Sequence, residues 1–262
     1  MRAVQLGAAL GARVRSSLAP ADLAWADVVV LVKRAIVQAD QVHAAKKPLV
    51  WDALDFWQQP AQNGLTEMQA RALLADWIRR YRPTLTIGAT QAMADACGGV
   101  YLPHHGHAGL VPTEARQECR VVAYEGSPAY LESWEPCLRD ACAARGWSFV
   151  VNPPDLTAVD ILVGLRGGAW DGWMCRQWKS GVKYVNAILA GRPVITQDTA
   201  AFHEIAPAGA VVQSTSDLGD ALDRWADRDA RDWAADRSRH LFERYALPSL
   251  AARYRAILVS II

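Results

Sequence analysis

Lys179, Ser180 and Lys183 are the residues of this chain best suited to hold an anion. They open an amphipathic run, Val182 to Ala190, with the two lysines four positions apart. On a helix start that spacing puts both ammonium groups on one face. A helix N-terminus carries partial positive charge and unpaired N–H groups, so lysines there favour a group such as a diphosphate. Ser180 adds a hydroxyl donor. Asn186 follows Lys183 on about the same face, and its amide can donate to and accept from ribose hydroxyls. Arg166 ends the apolar run Asp160-ILVGLR and precedes Gly167-Gly168. A guanidinium there can clamp a phosphate or carboxylate through two hydrogen bonds, the alternative being a salt bridge to Asp171. Gly126 follows Tyr124-Glu125 and would let backbone approach a phosphate, unless it only makes a turn. His203 and Glu204 end a polar loop after the Val194-Ile195 strand, as ligand contacts or as surface residues.

A second set of residues could move a proton. Asp52 and Asp55 follow the apolar run Pro48-LVW and are expected at the carboxyl end of a strand, pointing into a cleft. A carboxylate or imidazole is what a hydroxyl needs if it is to lose its proton while it attacks. His104, His105 and His107 are the imidazole candidates, with His105 taken alongside the two aspartates. The H-H-G-H cluster lacks an accompanying carboxylate or cysteine set, so interdomain hydrogen bonding is favoured over a metal site.

The elements that must position these groups alternate. Strands are expected at Arg2–Leu6, in the run from Asp27 to Lys33, and at Pro48 onward, Thr84–Gly88 and Val100–Leu102. Helices are expected at Asp22–Ala26, Ile36–Ala45, from Thr66 as cap to Tyr81, and at Gln91–Cys97 closed by Gly98-Gly99. Gly7 and Gly11 are expected to turn the chain after its first strand. From Pro103 to about Arg120 the pattern stops in a His-, Gly- and Pro-rich stretch. It then resumes, with strands at Arg120–Tyr124, Trp147–Val151, Asp160–Arg166, Val194-Ile195 and from Ala210. Helices are expected at Tyr130–Arg145, Val182–Ala190, Ser216–Trp225 with Ser216 as cap, Asp229–Tyr245 and Pro248–Ile262. Continuous β-branched runs between helices are the signature of parallel sheets covered on both faces.

Composition narrows the field. The 262 residues suffice for one large or two small domains, and the hydrophobic fraction of 52% can fill sizeable cores. A net charge of +1 gives no electrostatic case for nucleic acid. Five cysteines without C-x-x-C pairs fit neither a disulfide framework nor a zinc ribbon, which favours reduced thiols and a cytoplasmic location. The N-terminus lacks the long apolar core of a signal peptide, and no run reaches membrane-span length. The apolar end AILVSII is expected to be a helix docking on the protein, with a peripheral membrane contact as the alternative.

Two Rossmann-like halves, a linker and trailing helices resemble the GT-B class of nucleotide-sugar glycosyltransferases. The specific match is Asn186-AILAGRPVIT…FHE, similar to the family pattern E/N-A-x-x-A-G-x-P-V-I followed by x-E-I. It covers roughly Arg120 to Leu258; over the N-terminal half the likeness is architectural. The resemblance implies a donor diphosphate at the helix start (Lys179, Ser180, Lys183) with Arg166 and Gly126, and ribose at Asn186 or Glu204. It implies a trimmed acceptor domain at residues 1–110, a linker at 111–119 and a donor domain at 120–262, with the last helix packing back on the first domain. It further implies a nucleotide-sugar donor, a glycan or lipid-linked glycan acceptor, and no required metal ion. Many retaining members carry two glutamates with seven residues between them; here Trp178 and Asn186 occupy those places. The K-S-x-x-K…N-A-x-x-A-G variant resembles bacterial members acting on surface polysaccharides. A non-catalytic sugar-nucleotide or glycan-binding module is the alternative. A dehydrogenase is weaker, because no G-x-G-x-x-G follows either half's first strand.

Overall fold

The computed structural model describes residues 2–34 and 38–262. Two parallel sheets form two α/β halves. The first half contains α1 (Arg2–Leu10), α2 (Pro20–Trp25), β1 (Val29–Val32), α3 (Ala39–Ala44), β2 (Leu49–Asp52), α4 (Glu67–Tyr81), β3 (Leu85–Gly88), α5 (Gln91–Cys97) and β4 (Val100–Tyr101). Its strands run side by side in the order β1-β2-β3-β4. The second half contains β5 (Val121–Tyr124), α6 (Trp134–Ala143), β6 (Ser148–Val151), β7 (Ile161–Val163), α7 (Trp173–Trp178), α8 (Val182–Ala190), β8 (Val194–Thr196), α9 (Ala200–Ile205), β9 (Gly209–Val211), α10 (Thr215–Ala226) and α11 (Arg228–Tyr245). Its sheet order is β6-β5-β7-β8-β9, all parallel. The final helix, α12 (Leu247–Val259), returns to the first half and packs beside α1.

Strand parity explains the two layers of the first core. In β2, Leu49 and Trp51 join the cluster formed with α3, α4 and α7. Val50, between them, faces Leu6 of α1 and Leu250 and Tyr254 of α12. Successive side chains on a strand point to opposite faces, so Asp52 shares the face of Val50. There it meets Arg2, whose Nε donates to its Oδ2 at 2.8 Å, and Tyr254, whose hydroxyl donates at 3.2 Å. Both Asp52 and Arg2 are buried. The expectation that Asp52 points into the cleft is therefore corrected: strand alternation turns it to the helix-covered face.

Several local expectations change for physical reasons. Arg2–Leu6 is helical, because Arg2, Leu6 and Gly7 form one buried face of a nine-residue helix rather than alternate. Gly7 lies inside it, and a Cβ there would stand 2.3 Å from a Val14 methyl carbon, so glycine lets the returning chain pack close. The expected start of the third helix falls partly on residues 35–37, outside the described residues. His203 and Glu204 lie on α9, a helix capped by Thr199, not on an open loop. α10 is capped by Ser214, not Ser216. Lys179 and Lys183 do not share a helix: Lys179 ends α7, and Gly181 separates it from α8. By contrast, the Thr66 cap of α4, the Gly98 end of α5 and the bounds of α8 with Gly191 behind it agree with the sequence reading.

The halves are tightly joined. Met174, Cys175 and Trp178 of α7 lie in the core of the first half, against Phe56 and Trp57. Thr90 donates its hydroxyl to the Gln177 carbonyl at 2.9 Å, and Asn63 donates to the Ala169 carbonyl at 3.0 Å. The Gln91 N–H donates to Glu204 at 2.9 Å, so that carboxylate sits at the start of α5. Among the described residues no helix is long and apolar enough to cross a membrane.

Candidate functional site

The order of the second sheet reverses at β5: β6 lies on one side of it and β7 on the other. Ligands of open parallel sheets bind outside the strand carboxyl ends at such a reversal. Tyr124, Glu125 and Gly126 leave β5 there, and Gly164 to Arg166 leave β7. The N-terminus of α8 closes the gap. Gly181, at the head of α8, offers no side-chain cap, and Gly181 to Tyr184 line a cavity of about 160 Å³. An adjoining cavity of about 30 Å³ continues past Arg166 toward Gln197 and Thr199. Asp55 is the first half's contribution to the wall.

Three cations converge on this cavity. The Lys183 ammonium is buried, has no hydrogen-bond partner among the described residues, and stands 3.5 Å from the centroid of the Tyr124 ring. Burial pushes its pKa well below the usual lysine value, and the charges of Arg166 and Lys179 push it further; Glu125 partly offsets this. Arg166 lies over the Tyr130 ring at 5.1 Å. It has no carboxylate partner among the described residues, because Asp171 is taken by Arg176 at 2.7 Å. Lys179 is paired with Asp55 at 2.7 Å across the two halves. The Ser180 backbone N–H donates to the same carboxylate at 3.2 Å. Asp55 adopts a left-handed backbone, φ 44°, which swings it out of the strand direction toward these donors. Burial opposes its charge, but Lys179, Lys33 and the Ser180 N–H outweigh burial and hold its pKa below the ordinary value.

Arg166, Lys179, Ser180, Lys183, Gly126 and Asp55 thus come together around one cavity. The other candidates do not line it. Asp52 is in the α1–α12 tie described above. His105 is buried against α1, with Nε2 at 2.8 Å from Gln5 Oε1. Burial, aided by the nearby Arg2 charge, pushes its pKa down to about 4, so it is a neutral imidazole held between elements of the first half. Glu204 joins α9 to α5. Asn186 is buried, and both ends of its amide are bound by protein: Oδ1 accepts from the His107 N–H at 3.0 Å, and Nδ2 donates to Glu125 at 2.9 Å. The Gly126 N–H is taken by Asn152 at 2.7 Å, which leaves that glycine as an open wall rather than a donor. Two features escaped the sequence reading. Glu125 lines the cavity yet looks like a mere strand end. α7 is the other: Met174, Cys175 and Trp178 form one buried helical face, but six residues are too short for the period to stand out in the sequence.

No family model matches the chain, and no curated protein matches it in sequence. Solved structures do match it in shape. The Anabaena protein Alr3699/HepE, crystallised with UDP and glucose, superposes with a TM-score of 0.63 at 16% identity, over 88% of this chain and 78% of its own. Alpha,alpha-trehalose 6-phosphate synthase from Burkholderia multivorans gives a TM-score of 0.64 at 11% identity, over 98% of this chain and 75% of its own. AviGT4, a glycosyltransferase involved in avilamycin A biosynthesis, gives 0.51 at 14% identity, over 96% and 86%. With two parallel sheets, a cavity at the reversal of the second and a last helix returning to the first, this chain has the GT-B fold seen in nucleotide-sugar glycosyltransferases.

Proposed function

We propose that the protein is a glycosyltransferase that moves a sugar from a nucleotide-activated donor to a hydroxyl of a glycan or lipid-linked glycan. One observation carries the reading: the buried, unpartnered Lys183 ammonium beside the uncapped start of α8, flanked by Arg166 and Lys179. A buried donor without an acceptor costs free energy, and a cluster of such cations is retained where an anion completes it. A diphosphate between Lys183, Arg166 and the α8 N-terminus receives hydrogen bonds and a favourable dipole. These groups serve in place of a divalent ion, so no metal is assigned. The same contacts stabilise the leaving nucleoside diphosphate as the bond to the sugar breaks. Asp55 reaches the cavity from the other half and is the group placed to take the acceptor hydroxyl proton. Diphosphate binding draws Lys179 from Asp55 and frees that carboxylate. The K-S-x-x-K…N-A-x-x-A-G pattern supports an acceptor in bacterial surface-polysaccharide synthesis.

A binding module without turnover is the second reading, favoured by the Asp55–Lys179 pair, which occupies the carboxylate assigned here as base. Thermal shift against nucleoside diphosphates, followed by assays of product release from the matching nucleotide sugars, separates the readings. At least one nucleoside diphosphate is expected to raise the melting temperature, and its sugar conjugate to be consumed slowly with water and faster with acceptor. Binding with no turnover over an acceptor panel supports the module. No response to any nucleoside diphosphate rejects the transferase and the sugar-nucleotide module alike, and leaves a glycan-binding module.

A further inference from the structure

We propose that the outer faces of α1 and α12 form a surface that docks on an anionic lipid membrane. The docking itself does not depend on the transferase reading. α12 packs inward through Leu250, Ala251 and Tyr254, which join Leu6 of α1 and Val50 and Ile87 of the first sheet in one cluster. Its opposite face is Ala252, Arg255, Ala256 and Val259, at the three- and four-residue spacing of one helix side, and all four are exposed. Val259 is 66% exposed, and Ile262, just beyond the helix, 70%. On α1 the exposed residues are Ala3, Val4, Ala8 and Ala9, with Val4 at 62%. Arg255 Nη2 donates to the Leu10 carbonyl at 3.4 Å, so the two faces meet along one surface. α12 therefore docks on the protein with one face and leaves an apolar one uncovered.

Charge decides the occupant. Residues 2–21 and 244–262 hold six of the chain's 28 Lys and Arg and none of its 27 Asp and Glu, so the rest of the chain is net negative. Arg2 is buried against Asp52, but Arg13, Arg15, Arg253 and Arg255 are exposed. Arg253 and Arg255 make no ion pair among the described residues. Arg13 and Arg15 stand 3.9 and 3.5 Å from Asp22, whose carboxylate is largely covered. Arg13 also lies 4.2 Å from the ring centroid of Trp25, which is half exposed. Valine and isoleucine beside arginines and a tryptophan suit a membrane surface. The apolar side chains enter the acyl boundary, the indole and guanidinium groups stay at the headgroups, and each arginine is attracted by an anionic leaflet. A second copy seated on this face would bring like charges together, which opposes dimerisation. The half that carries this surface also sends Asp55 into the cavity. A membrane docked there presents lipid-linked acceptors to the half that holds the base, a consequence that does rest on the transferase reading.

The test is co-sedimentation of the full chain with vesicles of phosphatidylcholine alone and of phosphatidylcholine with about one-third phosphatidylglycerol. At low salt the anionic vesicles are expected to bind the chain about tenfold more tightly or better, and high salt should remove most of the difference. Arg253→Gln with Arg255→Gln should weaken that binding by about tenfold or more, because each cation near the anionic surface contributes. Val259→Gln with Ile262→Gln should weaken it several-fold at unchanged charge, because less apolar surface leaves water. All four side chains face solvent, so melting temperatures should stay near the parent's, which separates lost docking from lost folding. Equal retention by neutral and anionic vesicles, no retention by either, or retention unchanged in both pairs of variants overturns the inference. So does a concentration-dependent dimer that Val259→Gln with Ile262→Gln abolishes, since a second copy then covers the face.

Discussion

Lys183→Met is expected to lose nucleoside diphosphate binding by roughly 10- to 100-fold and, at the same time, to be more stable than the parent chain. The first effect follows from removing a charged hydrogen-bond donor to phosphate, worth about 1.5–3 kcal/mol, with 1.4 kcal/mol per tenfold in affinity. The second follows from the empty site, where a buried amine without a partner costs about 1–3 kcal/mol that methionine, of similar length, does not. A lysine kept only for structure would give the opposite result, a loss of stability with unchanged binding. The pH dependence has a definite sign. In the empty protein burial holds the Lys183 pKa well below its unfolded value, so between those two values the unfolded chain binds more protons and stability rises with pH. A bound diphosphate raises that pKa again, so binding takes up a proton and weakens as pH rises. Titration calorimetry in buffers of different ionisation enthalpy reads the proton directly. A slope absent in the wild type, or still present in Lys183→Met, would contradict this account.

Asp52→Ala is expected to destabilise the fold by about 3–5 kcal/mol, the usual result of leaving one member of a buried ion pair unpaired. Arg2 then retains the Leu102 and Pro103 carbonyls but loses its only carboxylate among the described residues, and the Tyr254 hydroxyl loses its acceptor. The expected loss is in urea unfolding, with nucleotide affinity of the folded protein unchanged. A loss below about 1 kcal/mol, or a catalytic defect at full stability, would restore Asp52 to the candidate bases.

These two residues also show what a single sequence can reveal. The helix that carries Lys183 was legible because its signals are local: an amphipathic run and a terminating Gly191, with bounds that agree residue for residue, whereas the break that separates Lys179 from it was not. The β-branched runs of β5, β7 and β8 were legible for the same reason. Asp52 and Asp55 could not be told apart, because three residues of a turn decide which face each reaches, and the left-handed turn at Asp55 has no marker such as glycine. Arg2–Leu6 fits a strand, through alternating Val4 and Leu6, as well as it fits the helix it forms, through Arg2 and Leu6. Glu125 is positioned by partners 18 and 61 positions away, a relation that only the folded chain displays.

Trp178 has a consequence for motion. It grows from the second half but is 1% exposed within the core of the first. A fully buried tryptophan removes roughly 150–250 Å² from water, worth about 5 kcal/mol at 25 cal/mol per Å². Swinging the halves apart about a hinge would hydrate that ring together with Met174, so wide opening is a rare event. For the same reason the two halves form a single cooperative unit, expected to melt in one calorimetric transition. Two resolved transitions would show that the shared tryptophan does not couple them.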